Sequence, residues 1–173
     1  MRCMAMQVHN KTLRVLLWAL LLGCLVVLGR YIVLKQGPGY NRLHQAKYHR
    51  HHTTLKQRWA QANLTPFKTI RLFNGRHVTA ETRQRNIGGN ILGFVPIGFL
   101  LPLLLSFLRR FFATTAAVLL LSLFFECAQL YTGLGIFDVD DLILNTTGGM
   151  LGWVLYRVAG WRFTPAGIAN QQR

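Results

Sequence analysis

The sequence predicts an all-α integral membrane protein with about four transmembrane helices and a basic, partly helical loop between the first two. Three observations lead there. Hydrophobic residues make up 51% of the 173-residue chain, more apolar surface than one soluble domain of this size can bury. The apolar residues gather into runs of about 20, the length a helix needs to cross a bilayer. The basic residues crowd into the polar stretch between the first two runs.

The runs fall at 13–34, 88–108, 111–131 and 142–159. Arg30 interrupts the first only near its end, where a long side chain can snorkel to the headgroups. That run exceeds the core of a signal peptide, and no small-x-small cleavage site follows it. The last run is short and glycine-rich. The chain thus divides into an N-terminus (1–12), a first span (13–34), an external basic loop (35–87), a core of three spans (88–159) and a tail (160–173). Cys3, Cys24 and Cys127 are too scattered for a disulfide framework or a zinc site.

Net charge is +15, and residues 35–85 hold eleven Lys or Arg, five of the six His and one acid, Glu81. Beside a bilayer such a stretch is drawn to anionic headgroups, and the chain carries no nucleic-acid recognition motif. The tract His49–His52 reads as solvated basic loop. Arg109 and Arg110 join the second and third runs, Arg157 and Arg162 follow the fourth, and Arg2, Lys11 and Arg14 precede the first. With four spans, the positive-inside rule for short loops places both termini in the cytoplasm of a multi-pass cell-membrane protein. The basic loop and the acidic residues then share the outer side.

Acid is sparse and local. Of five carboxylates, Asp138, Asp140 and Asp141 sit at the mouth of the fourth run and Glu126 inside the third. Helical spacing groups Asp138, Asp141 and Asn145, then Glu126 and Gln129, then Asn86 and Asn90. Antiparallel spans bring the three groups to one membrane surface. Two readings stay open: the polar side chains bond the helices together, or they line an outward-facing pocket. An ionised side chain within a span normally faces protein or water and has a partner. Such a pocket could hold Mg²⁺ or Ca²⁺, or set a buried, pKa-raised Glu126 against an ionised Asp141 for acid–base work. No metal ligand set is assigned, and no hydrolase, zincin or P-loop motif is present. The pairs Gly89/Gly93 and Gly148/Gly152 suit close helix packing. Pro96 and Gly98 would loosen the second span and make room.

Four blocks in order, "NLTPFKTI" (63–70), "NIGGNILGFVPIGFLLP" (86–102), "ECAQ" (126–129) and "FDVDDLILNTTGG" (137–149), resemble the VanZ-like membrane proteins, a family named for teicoplanin resistance. The resemblance covers about half the chain and leaves residues 1–61 and the tail unmatched. It implies an envelope protein that binds or modifies a cell-surface component through a pocket of Asn63, Asn86, Asn90, Glu126, Gln129, Asp138, Asp140, Asp141 and Asn145. Membrane lipids, a lipid-linked envelope precursor or a glycopeptide are the partners it suggests. The alternative is a non-catalytic scaffold whose polar residues fix helix packing. Many members of the resembled family carry an arginine just ahead of the Asp cluster, where this chain has Gly135 and Ile136. Arg71, Arg76, Arg83 or Arg85 would then offset the acids, and the Pro66–Phe67 turn would act as a lid, bringing Asn63 to face Asn90, Glu126 and Asp141.

Overall fold

The structure, a computed structural model, describes residues 10–33, 54–74 and 80–162, without the side chains of 32, 33, 82, 85, 161 and 162. Cys3, the His49–His52 tract, Arg76 and the far C-terminal tail lie outside the described residues.

All described elements are helical. Helix α1 (Lys11–Val33) starts at Asn10, whose Oδ1 accepts the N–H groups of Thr12 (2.9 Å) and Leu13 (3.3 Å) and so satisfies two of the first turn's orphan donors. Two short helices follow, α2 (Leu55–Ala60) and α3 (Lys68–Phe73). Thr54 and Gln57 form a capping box that starts α2. Helix α4 (Ala80–Arg83) runs through a π-turn (Gln84–Gly88) into α5 (Gly89–Leu104). A 3₁₀ turn (Ser106–Arg109) leads to α6 (Phe111–Thr132), and α7 (Val139–Arg162) ends the described chain.

Three helical stretches are long and apolar enough to cross a membrane: Lys11–Tyr31, Asn86–Leu104 and Phe111–Thr132. They coincide with the first three expected runs, except that the second closes at Leu104 rather than at 108. Pro102 has no N–H to give the Gly98 carbonyl, and Leu105 turns to extended geometry (φ −117°, ψ 108°). Helix α7 has 24 residues, long enough to span, but Asp140, Asp141, Asn145, Thr146 and Thr147 make its first half polar.

The core is set by α5 against α7, which run parallel from the same end. Ideal Cβ atoms at Gly98, Gly148 and Gly152 would lie 2.0 Å, 2.1 Å and 2.1 Å from the carbonyl oxygens of Gly149, Ile91 and Val95. Only glycine permits that approach. Phe94, Ile97, Val118 and Tyr156 fill the space around it, each at most 1% exposed. Helix α6 packs on α7, and its buried Thr114, Val118, Ser122, Glu126 and Gln129 form one stripe at helical spacing. Gly133 ends α6 in left-handed geometry (φ 71°), and its N–H closes onto Gln129 O at 2.9 Å, the glycine C-cap that stops a helix cleanly. Helix α1 touches this body along a thin line, with Leu21 and Leu28 buried.

Alanine at Gly148 or Gly152 is expected to lower stability by about 1–3 kcal/mol, the usual cost of overpacking. A Cβ at Gly23 meets nothing within 4 Å, so Gly23→Ala should be neutral or mildly stabilising. Thermal unfolding in detergent separates the two cases.

Candidate functional site

The four clustered acids meet at the end of the bundle where α5 and α7 begin and α6 stops. Each is bound differently. Asp138 immediately precedes α7 and caps it: its Oδ1 accepts the Asp140 N–H at 2.8 Å. The same oxygen accepts Asn63 Nδ2 at 2.8 Å, and Oδ2 accepts the Thr69 hydroxyl at 2.6 Å. Backbone bonds reinforce the junction. Asn63 N–H donates to Phe137 O at 2.9 Å, and Val139 N–H donates to Asn63 O at 3.0 Å, a short parallel bridge between residues 63 and 138.

Asp140, fully buried, works on the opposite helix. Its Oδ1 accepts Phe67 N–H (2.5 Å), while Oδ2 accepts Thr69 N–H (2.6 Å) and Ile70 N–H (3.1 Å). These donors lie at the start of α3, whose own N-cap position is Phe67, a residue without a side-chain acceptor. Asp140 therefore supplies from 71 residues away the cap that the local sequence lacks. Asp138 and Asp140 together latch the Asn63–Phe67 strap onto the bundle.

Glu126 is 1% exposed, and its Oε2 accepts the Asp138 N–H at 3.0 Å. Asp141 is half-buried and accepts Asn90 Nδ2 at 2.5 Å, tying α7 to α5. Asn145 donates to Ser122 Oγ at 2.8 Å, tying α7 to α6. Asn86 and Gln129, each 5% exposed, lie buried on α5's π-turn and on α6.

The spacing argument thus brings the right residues to one end but misreads their partners. Asn63 bonds Asp138 and Thr69 rather than facing Asn90 and Asp141, and it reaches Glu126 only through Asp138. Asp138 stands at the cap position before the first helical residue, with its carboxylate on the Asp140 amide, Asn63 and Thr69. Asp138 and Asp140 turn inward onto the strap. The Pro66–Phe67 turn leaves Phe67 half-exposed, with a left-handed backbone (φ 64°). Among the described residues no three His, Cys, Asp or Glu side chains are grouped to hold a metal ion. A divalent cation at Asp138 or Asp140 would have to compete with the six protein donors just named.

Spacing also missed Arg58 and Thr69. Arg58 donates to Leu130 O (3.3 Å) and Tyr131 O (2.6 Å), a cation on the carbonyl end of α6 where the helix dipole favours it. Of the arginines expected to offset the acids, Arg83 donates to Phe73 O at 3.0 Å and Arg71 is exposed. Gly135 is the position just ahead of the acids where the resemblance led one to expect an arginine. A Cβ there would lie 2.8 Å from Gln129 Nε2, so the buried Gln129 takes up that space.

A family model described as VanZ/LLP1 matches residues 13–160. The chain belongs to the VanZ/LLP1 family. The match takes in α1, which carries no motif of its own, and reaches beyond the four blocks on both sides. Protein VanZ of Enterococcus faecium is 39% identical over 97 residues, covering 54% of this chain and 51% of that protein. The chain thus spans about half the length of the curated relative it matches. No solved structure matches it. With three apolar helices of spanning length, this member of the VanZ/LLP1 family is a membrane protein.

Two outcomes test the latch. Asp140→Asn leaves one acceptor oxygen where two now serve three N–H groups, at about 1–3 kcal/mol for each donor left buried and unpaired. Hydrogen exchange should quicken at Phe67, Thr69 and Ile70 while the α5–α7 core keeps its protection. The second outcome concerns pH. Burial raises the Asp138 pKa above its ordinary value of 3.8, helped by Asp141 and opposed by the Thr69 and Asn63 hydrogen bonds. Between 3.8 and that raised value, the folded chain holds a proton that the unfolded chain has released. Stability should therefore fall as pH rises through this window and level off above it. Thermal melts at stepped pH should show that slope, and Asp138→Asn should flatten it.

Proposed function

We propose that this chain is a four-span envelope protein that binds or modifies a cell-surface component at the latched, carboxylate-rich end of its bundle. The observation that carries the reading is the division of labour among the acids. Asp138 and Asp140 are committed to the strap, whereas Asp141, paired with Asn90, is the clustered carboxylate that is not fully buried. Glu126 is buried at the same end and accepts the Asp138 amide N–H. Asn63, Asn86, Gln129 and Asn145 complete the polar end.

Sidedness supports the same reading. At the far end of the bundle, Trp153 Nε1 donates to Arg109 O at 3.2 Å, and the Arg157 guanidinium stacks 5.7 Å from the Trp153 ring centre. That arginine-bearing end is the cytoplasmic one under the positive-inside rule, with the start of α1 and the end of α7 on the same side and α7 as the fourth span. The acidic end then faces out. Leu55, Trp59, Leu64 and Phe67 are each half-exposed on the strap helices and their turn, beside Lys56 and Lys68. This composition suits the membrane interface. Family membership extends the proposal to low-level teicoplanin resistance, with a lipid-linked precursor or the glycopeptide itself as the component contacted.

A second reading has its own observation. Every carboxylate oxygen of Asp138 and Asp140 accepts a donor from within the chain, as a non-catalytic scaffold requires.

Teicoplanin susceptibility of a sensitive host expressing the chain, with membrane abundance measured alongside, tests both. Glu126→Gln and Asp141→Asn should lose protection at unchanged abundance. Protection that merely follows abundance supports the scaffold. No protection from the wild-type chain removes the antibiotic from the reading.

A further inference from the structure

A cavity of about 490 Å³ lies away from the acids, in the cleft between α1 and α5. Pro96 lines the cleft on this apolar side of the second span. We infer that the cleft is a seat for one acyl chain of a glycerophospholipid, drawn from the leaflet on the same side as the acidic end. The inference stands apart from the proposed function: it holds even if Glu126 and Asp141 prove purely structural.

Four observations carry it. First, the cleft lies wholly within two apolar helices of membrane-spanning length, where the surrounding medium is hydrocarbon. Second, it is built rather than accidental. Leu28, buried, closes one side of it, Gly89 and Gly93 let Tyr31 and Leu28 lie directly on the α5 backbone, and Gly23, whose Cβ position meets nothing within 4 Å, leaves its outer side open. Third, its lining from Leu20 to Tyr31 rises about 16 Å at 1.5 Å per residue, close to half of a hydrocarbon core about 30 Å thick. One leaflet's chain fits that length, whereas a long polyprenyl chain overruns it. Fourth, the Tyr31–Gly89 end reaches the level of Asn90, where α5 begins, so the head of a seated lipid sits at the height of the polar end of the bundle.

The test uses the full chain in vesicles containing a phosphatidylcholine with a photoactivatable diazirine on one acyl chain. Label should concentrate on the 20–31 and 89–96 peptides, about tenfold above the equally exposed Phe112–Phe124 face, or about 1.4 kcal/mol of preference. Gly23→Leu, which projects into the open side of the cleft, should abolish the enrichment while leaving the melting temperature near wild type. Val27→Phe at the cleft's lip should act likewise. Labelling spread evenly over the exposed apolar faces would overturn the inference, as would enrichment that survives both substitutions. Two further results would also overturn it: displacement of the label by a polyprenyl phosphate but not by phospholipid, which assigns the seat to an isoprenoid, or cross-linking of Cys24 between copies in place of lipid labelling, which assigns it to a second chain.

Discussion

The backbone approach of α5 to α7 is the constraint on which everything else rests. With Cβ positions at Gly98, Gly148 and Gly152 falling about 2 Å from carbonyl oxygens of the facing helix, the two helices have one registry and no freedom to slide. That registry is what carries Asn90 to Asp141 at the polar end and Trp153 to the Arg109 carbonyl at the other. In hydrocarbon there is little hydrophobic gain in bringing helices together, so close van der Waals contact and interhelical hydrogen bonds must hold the bundle. Glycine supplies the first and the Asn90–Asp141 and Asn145–Ser122 pairs supply the second.

The latch solves a different problem. Two carboxylates are buried side by side, and taking each from water costs several kcal/mol. Hydrogen bonds to charged groups return about 1.5–3 kcal/mol each. Asp140 receives three and Asp138 three, and the start of α7 adds the favourable end of a 24-residue helix dipole. With all the donors present together the desolvation is largely offset, and what is left of it at Asp138 shows as the raised pKa. Phe67 shows the same economy. Its left-handed backbone costs about 1–2 kcal/mol for a non-glycine residue, and it persists because Asp140 holds both its N–H and the turn that follows.

Much of this was legible in the sequence. Apolar runs located three membrane-length helices, and the concentration of acid located the end of the bundle where the polar residues meet. Local rules could also have revealed Asp138, since an Asp directly before an apolar helical run is a helix-start signal. Attention to charge hid that simpler reading. Asp140 was not legible, because its partners are backbone amides 71 residues earlier and no spacing rule reaches that far. Arg58 was hidden for the same reason: its target is the carbonyl end of α6, a feature of the fold rather than of any motif. Pro96 was expected to make room in the second span; it lines the α1–α5 cleft, a place set by where α1 leans.

That leaning helix is the part of the fold that packing explains least. Helix α1 buries only Leu21 and Leu28 among its described side chains, while Val15, Leu16, Leu22 and Val27 are each at least 60% exposed. The family match nevertheless begins at residue 13, so α1 belongs to the unit that defines the family. A bundle of α5, α6 and α7 already satisfies the glycine contacts and the polar pairs without it. What α1 adds is one wall of an apolar cleft and, through Tyr31 against Gly89, a fixed height for that wall relative to the polar end. The physical role of α1 is to shape the surface that this end of the protein presents to lipid.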